Sequence, residues 1–293
     1  MSGEAARGEE VVAAPARVRR RGLAGRLSAL GIGAAIIVLA CLALAVVGPF
    51  IAPYPPGQIV SDQVFGPLTA QHPLGIDYLG RDMLSRVLVG ARYTIGVALP
   101  ATLLASLSGT ALGMLAASRG GVFDAVLSRA MDTLISFPSI IFSLVVVAAL
   151  GSSVLVLIVA AAVIYTPGCY RIVRAIAVDI NATDFVKAAR ARGERSAAIM
   201  AGEILPNMTM PILTDFGLRF VFIVLLLSSL SFLGLGIQPP YSDWGGLVRE
   251  NIGGLSAGAP AVIVPAIAIA ILTVSVNLLI DNLPGRKVAA DGR

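Results

Sequence analysis

The residues able to do chemistry are few and widely spaced. Asp215 and Arg219 lie four apart in an otherwise apolar run, so on a helix they share one face and can pair. Ionisable groups are costly in hydrocarbon, and these two read in two ways. They form an internal ion pair with Arg219 reaching toward the interface, or they stand at the inner mouth of a pathway. His72 is the only histidine, and a metal site usually takes three or four ligands, so it reads as a turn residue. Cys41 and Cys169 both fall in apolar segments and offer neither a disulfide framework nor metal spacing. The chain has no G-x-x-x-x-G-K-[ST] loop to cradle nucleotide phosphates and no H-E-x-x-H. No carboxylate or histidine cluster in the apolar runs suggests a proton relay. The expectation is a chain with no catalytic residues, no metal and no cofactor, whose energy and selectivity come from other subunits.

The elements that must position these residues are membrane spans. The chain of 293 residues is 57% hydrophobic and only 13% charged, where a soluble domain carries roughly 25% charged residues. Crossing about 30 Å of hydrocarbon takes about 20 apolar residues. Runs of that kind lie at about 30–52, 94–117, 133–150, 154–170, 212–235 and 260–283. Gly151, Ser152 and Ser153 make the tight turn between the third and fourth. Lipid offers no partner to bare backbone, so the runs should be helices, and the short alternating segments of a β-barrel are absent. The expected fold is an all-α polytopic membrane protein of six transmembrane helices.

Charge sets the expected orientation. Seventeen of the 22 Lys and Arg residues fall in the N-terminal arm, the loop after the second span, the segment between the fourth and fifth, and the tail. Only Arg81, Arg86, Arg92 and Arg249 fall on the other side. The basic side is the cytoplasmic one, which puts both termini in the cytoplasm. The net charge of +5 therefore reads as topology and contact with anionic lipid headgroups, with no nucleic-acid site. The first run exceeds the 7–15 apolar residues of a signal peptide and reads as an anchor. The expected organisation is a disordered arm at 1–28, a transmembrane domain at 29–283 and a tail at 284–293. Within the domain lie an outer loop at 53–93, a cytoplasmic segment at 181–207 and an outer loop at 236–259.

Three segments outside the spans carry the remaining signal. In the cytoplasmic one, Thr183 or Asp184 can cap a short helix that Gly193 should end. A second short helix from about Arg195 should run to Pro206. Ala188 and Ala189 keep one surface of this helix–turn–helix small, and Phe185 and Val186 give it an apolar knob. In the first outer loop, Asp77, Gly80, Arg81 and Asp82 make a charged turn. It is either a solvated connector that orients the second span or part of a docking surface for another protein. In the last outer loop, Pro239 and Pro240 end a helix and Asp243 can cap a short one. Trp244 suits the membrane–water boundary, with contact to another protein as the alternative for Asp243 and Trp244.

The pattern Ala188-Ala189, three residues, Gly193, then Ile204-Leu205-Pro206 resembles the EAA motif of bacterial ABC importer permeases. Lys187 stands where the motif's name expects glutamate. The run from His72 to Arg86 with Gly90-Ala91-Arg92 is similar to the outer segment of the dipeptide and oligopeptide permeases of the second, "C" type. Arg129 to Asp132 with Phe137-Pro138, and Leu230 to Pro240 with Asp243-Trp244-Gly245, resemble that branch as well.

The resemblance implies a type I ABC importer permease in the bacterial cytoplasmic membrane. It implies a second homologous permease, two ABC ATPase subunits and an external substrate-binding protein as partners. Phe185, Val186, Lys187, Ala188, Ala189, Arg192, Gly193, Leu205, Pro206 and Asn207 would then form the ATPase-coupling element. The implied cargo is di- or oligopeptides, with haem or nickel complexes as alternatives on similar permeases. The competing class is an autonomous secondary transporter or channel, which predicts intramembrane charges, broken helices or internal repeats.

Overall fold

The computed structural model describes residues 28–283, so the arm before Ser28 and the tail from residue 284 lie outside the described residues. In chain order the helices are α1 (Ala29–Ile51), α2 (Met83–Arg119), α3 (Gly121–Ser136), α4 (Ser139–Leu150) and α5 (Val154–Asn181). There follow α6 (Asp184–Ala191), α7 (Ser196–Ile199), a π turn (Met200–Ile204) and α8 (Leu205–Asn207). Then come α9 (Thr209–Phe232), α10 (Trp244–Asn251), a 3-10 segment (Ile252–Ala257) and α11 (Pro260–Asp281). Among the described residues the only extended pairing is two isolated bridges, Ile59 with Arg81 and Ile76 with Asp82.

Five helices, α1, α2, α5, α9 and α11, are long and apolar enough to cross a membrane. The expected third span departs from that pattern. It is broken at Phe137-Pro138 into α3 and α4, whose axes differ by 87°, and only the pair together qualifies as a sixth span. The break follows from Pro138, which pushes the preceding residue out of helical conformation; Phe137 sits at φ −84, ψ 131. Two other boundaries shift. α2 already starts at Met83, and α5 runs on past 170 to Asn181.

The longest helix–helix interface joins α2 to α5. Without a hydrophobic force between helices in lipid, close approach depends on small residues. Ala98, Ala101 and Ala105 of α2 are fully buried. A Cβ on Gly109 would stand 2.6 Å from Cys169 Cβ, and one on Gly113 would stand 2.9 Å from the Tyr170 carbonyl oxygen. These two glycines form a G-x-x-x-G pair that lets the backbones touch. α9, α10 and α11 pack on the other side of α2 through Ile223, Val224, Trp244, Leu247 and Leu272. α1 stays at the edge, touching α2 and α11.

Candidate functional site

α9 separates two polar ends of the molecule by 24 residues, or about 36 Å. At one end α6 is built as a short rigid helix. Thr183 takes the cap position, but its hydroxyl turns back to the Ile180 carbonyl at 2.6 Å and does not cap. Asp184 supplies the negative charge in the first turn. The helix ends in a complete Schellman motif: Glu194 N–H donates to the Ala189 carbonyl and Gly193 N–H to that of Arg190. Gly193 has φ +77 with open space around it, so the backbone angle alone requires glycine.

Val186 and Ala189 are fully buried against Val173, Ala177, Ile199, Ile204 and Met208. The expected apolar knob is therefore divided: Val186 faces the interior, and Phe185 stands outward at 43% exposure. Ala189 likewise leaves the small surface to Ala188, because helical spacing puts it on the buried face with Val186 three residues before. Lys187, Ala188, Arg192, Gly193, Pro206 and Asn207 are exposed, and Leu205 is half-buried. Lys187 pairs with Asp184 at 3.0 Å and Arg192 with Glu194 at 2.6 Å. The expected second helix is interrupted by the π turn, whose ladder Leu205 N–H closes onto the Met200 carbonyl. Pro206 follows directly and has no N–H to return to the ladder.

At the other end the charged turn is interior. Asp77 is 0% exposed, and Arg81, Asp82, Asp243 and Trp244 are buried too. Asp77 Oδ2 accepts from Arg81 Nε at 2.6 Å and Arg86 Nη1 at 2.7 Å. Both guanidinium groups also donate to Glu250 of α10, at 2.7 and 2.8 Å. Despite burial, which disfavours its charge, Glu250 is held below its ordinary pKa by Arg86 and Arg81. Asp82 caps α2 through Ser85 N–H at 2.8 Å, while its other oxygen meets His72 Nδ1 at 2.9 Å.

Asp243 caps α10 through Gly246 N–H at 2.8 Å and accepts from Ser231 Oγ at 2.7 Å. Trp244 lies inside the bundle, not at a lipid boundary, with Nε1 donating to the Val87 carbonyl at 3.0 Å. The five side chains read as possible docking contacts are thus enclosed in this chain. Asp77 and Glu250 balance Arg81 and Arg86 inside the protein, and this group fastens the segment before Met83 to α2 and α10.

Between the two ends, Asp215 and Arg219 form a buried two-point pair, with Nη2 to Oδ1 at 2.7 Å. Arg219 Nη1 also donates to the Tyr165 carbonyl of α5 at 2.9 Å. Gly168 makes room for this approach, since a Cβ there would stand 2.7 Å from Arg219 Nη1. Arg219 lines a cavity of about 760 Å³ between the α3–α4 elbow, α5 and α9. Among the described residues no three His, Cys, Asp or Glu side chains converge to hold a metal ion.

The family described as binding-protein-dependent transport system inner membrane component matches residues 109–288, more than half of the chain. A chain of Brucella suis biovar 1, provisionally named a peptide transport system permease protein, is 35% identical over 252 residues, covering 86% of this chain and 84% of that one. The chain belongs to that family. The permease is also similar to the glutathione transport system permease protein GsiD of Pectobacterium atrosepticum, at 32% identity over 255 residues, 87% of this chain and 85% of that one. In fold it matches a chain of the MetNI methionine ABC transporter with a TM-score of 0.56 and 18% identity, over 72% of this chain and 97% of that one.

The permease is thus the multi-pass inner-membrane component of an ABC importer. Such a component works with ATPase subunits, a binding protein and a second permease. Sequence reasoning passed over three of its features. Glu250 gives no signal in sequence, because its partners lie 164 and 169 residues away. The Gly109–Gly113 pair was legible as a G-x-x-x-G spacing. The cavity arises only where four helices meet.

Proposed function

We propose that this permease pairs with a second, homologous but non-identical permease and two ABC ATPase subunits to move di- or oligopeptides inward from an external binding protein. α6 and the turn after it are the coupling element, so the α6 end faces the cytoplasm and the α10 end faces outward. ATP hydrolysis belongs to the ATPase subunits. The observation that carries this reading is the division of α6. One face is sealed against α5, α7 and the π turn through Val186 and Ala189, while Phe185, Ala188 and Arg192 project from the other. A push on the exposed face therefore bears directly on the end of α5 and reaches α9 through the π turn and Met208 at its start. The peptide cargo is supported by the names of the Brucella and Pectobacterium relatives.

The test is co-purification of the tagged chain with its neighbouring gene products, followed by ATPase measurement on wild type and Gly193→Pro. Proline cannot adopt φ +77 and has no N–H for the Arg190 carbonyl. The expected result is a complex with a second permease and ATPase subunits, from which the variant loses ATPase association or substrate-stimulated hydrolysis. A chain that purifies alone and moves solute in liposomes without ATP overturns the proposal.

A further inference from the structure

The cavity at the α3–α4 elbow has a chemical bias that its place in the membrane does not require. Its wall is apolar and aromatic, with Phe137 and Tyr165, and it includes two guanidinium groups, Arg171 and Arg219, but no Asp or Glu. Arg219 stands ten residues into α9, about 15 Å along the helix from its α6 end. Three of its five N–H groups are taken by Asp215 and the Tyr165 carbonyl. That leaves two donors on a group already fixed in position. Arg171 has a side chain 60% exposed, and its nearest carboxylate, Asp132, is 3.6 Å away, beyond good hydrogen-bond distance. Its donors are unspent. A charged face of this kind is expensive against lipid tails and belongs to a protein-lined or watered space. The volume of about 760 Å³ lies within the range of small-ligand sites.

We propose that this cavity is a carboxylate-binding station on the inward path, where Arg171 and Arg219 receive the C-terminal carboxylate of the transported peptide. The apolar wall accepts the peptide's side chains, and the preformed Asp215–Arg219 pair keeps one guanidinium from turning away. This assignment rests on the peptide-importer reading and adds to it the group by which cargo is recognised inside the membrane. Arg171 is the more informative position to change, because its exposure makes it dispensable for folding, whereas Arg219 is a buried partner of Asp215.

The experiment uses the whole importer in liposomes with its binding protein. The probes are a random tripeptide library as free acids and the same library with amidated C-termini, each saturating the binding protein. Uptake of the two forms is compared in wild type, Arg171→Gln and Arg171→Lys. Any preference of the binding protein is common to all three and cancels between them. Loss of one charge-assisted contact should lower the acid-to-amide uptake ratio by about ten-fold in Arg171→Gln, with Arg171→Lys retaining most of it. Equal slowing of both forms, or no change in either, overturns the station. An effect that follows the anionic lipid content of the liposomes, and not the peptide terminus, assigns the guanidinium to a lipid phosphate and overturns it as well. Wild type that takes up neither form removes the peptide-importer reading, and the station with it; a wild type that imports peptides with an unchanged ratio in the variant removes only the station.

Discussion

Asp77→Asn separates the two roles that the outer charged turn offers. In the structure Asp77 Oδ1 accepts from Leu79 N–H at 2.9 Å and Arg81 N–H at 2.8 Å. Its Oδ2 serves the guanidinium groups of Arg81 and Arg86. Asparagine keeps the first oxygen and the shape but replaces the second with an amide that points hydrogens at two cations. Water cannot compensate, because Asp77 is 0% exposed. Breaking one partner out of a buried charge group costs about 3–5 kcal/mol, against roughly 0–1 kcal/mol for a solvated surface pair. The expected loss is therefore about 3 kcal/mol or more, read by denaturant titration of the purified complex. Adding Arg86→Gln restores charge balance, so the double variant should lose less than the sum of the single changes, by at least about 1 kcal/mol. A loss under about 1 kcal/mol accompanied by selectively weaker affinity for the binding protein would refute the structural role and return these residues to a docking surface.

Other outcomes follow from the same geometry. Phe185→Ala should leave folding within about 0.5 kcal/mol of wild type while weakening capture of the ATPase subunits in a pull-down, whereas Val186→Ala, in the sealed face of α6, should destabilise the bundle first. Gly113→Val forces a side chain toward the Tyr170 carbonyl and Arg174 N–H; overpacking of about 1–3 kcal/mol should show as lowered thermal stability in detergent. Burial pushes the Asp243 carboxyl up to about 6 against the hydrogen bonds from Ser231 and Gly246 N–H. A carboxyl raised in the folded state stabilises fully below its ordinary value of 3.8 and loses that contribution as pH rises through about 6. The full difference corresponds to about 3 kcal/mol, and about half of it falls between pH 5 and pH 7.5, so stability should be lower at pH 7.5 than at pH 5. Asp243→Asn, which retains the cap and a partner for Ser231, should flatten that slope. Glu250, held below 4.5, loses its contribution only at lower pH and leaves this window to Asp243.

Sequence by itself determined the class of this protein and the position of the short amphipathic helix α6. Long apolar runs leave the backbone no partner but its own helix, which is why α1, α9 and α11 lie close to where hydropathy puts them. Gly193 was legible for an equally local reason: a left-handed residue after a short amphipathic helix ends it wherever it occurs. Pro138 was visible too, but its consequence was not, because whether a proline kinks a span or turns it through 87° depends on what packs on either side. Tertiary structure alone decided which polar groups are inside. Asp77, Arg81, Asp82 and Trp244 have the composition of a surface loop, yet they are buried: Glu250 arrives from a distant part of the chain to balance Arg81 and Arg86, and Trp244 arrives to bond the Val87 carbonyl of α2. Arg171 and Arg219 are separated by 48 positions in sequence, yet they face one cavity because Gly168 leaves room on α5 for the Arg219 guanidinium to reach across from α9. Local signals survive in sequence because their partners are a few residues away; the balance of buried charge does not, because it is a sum over helices that only packing brings together.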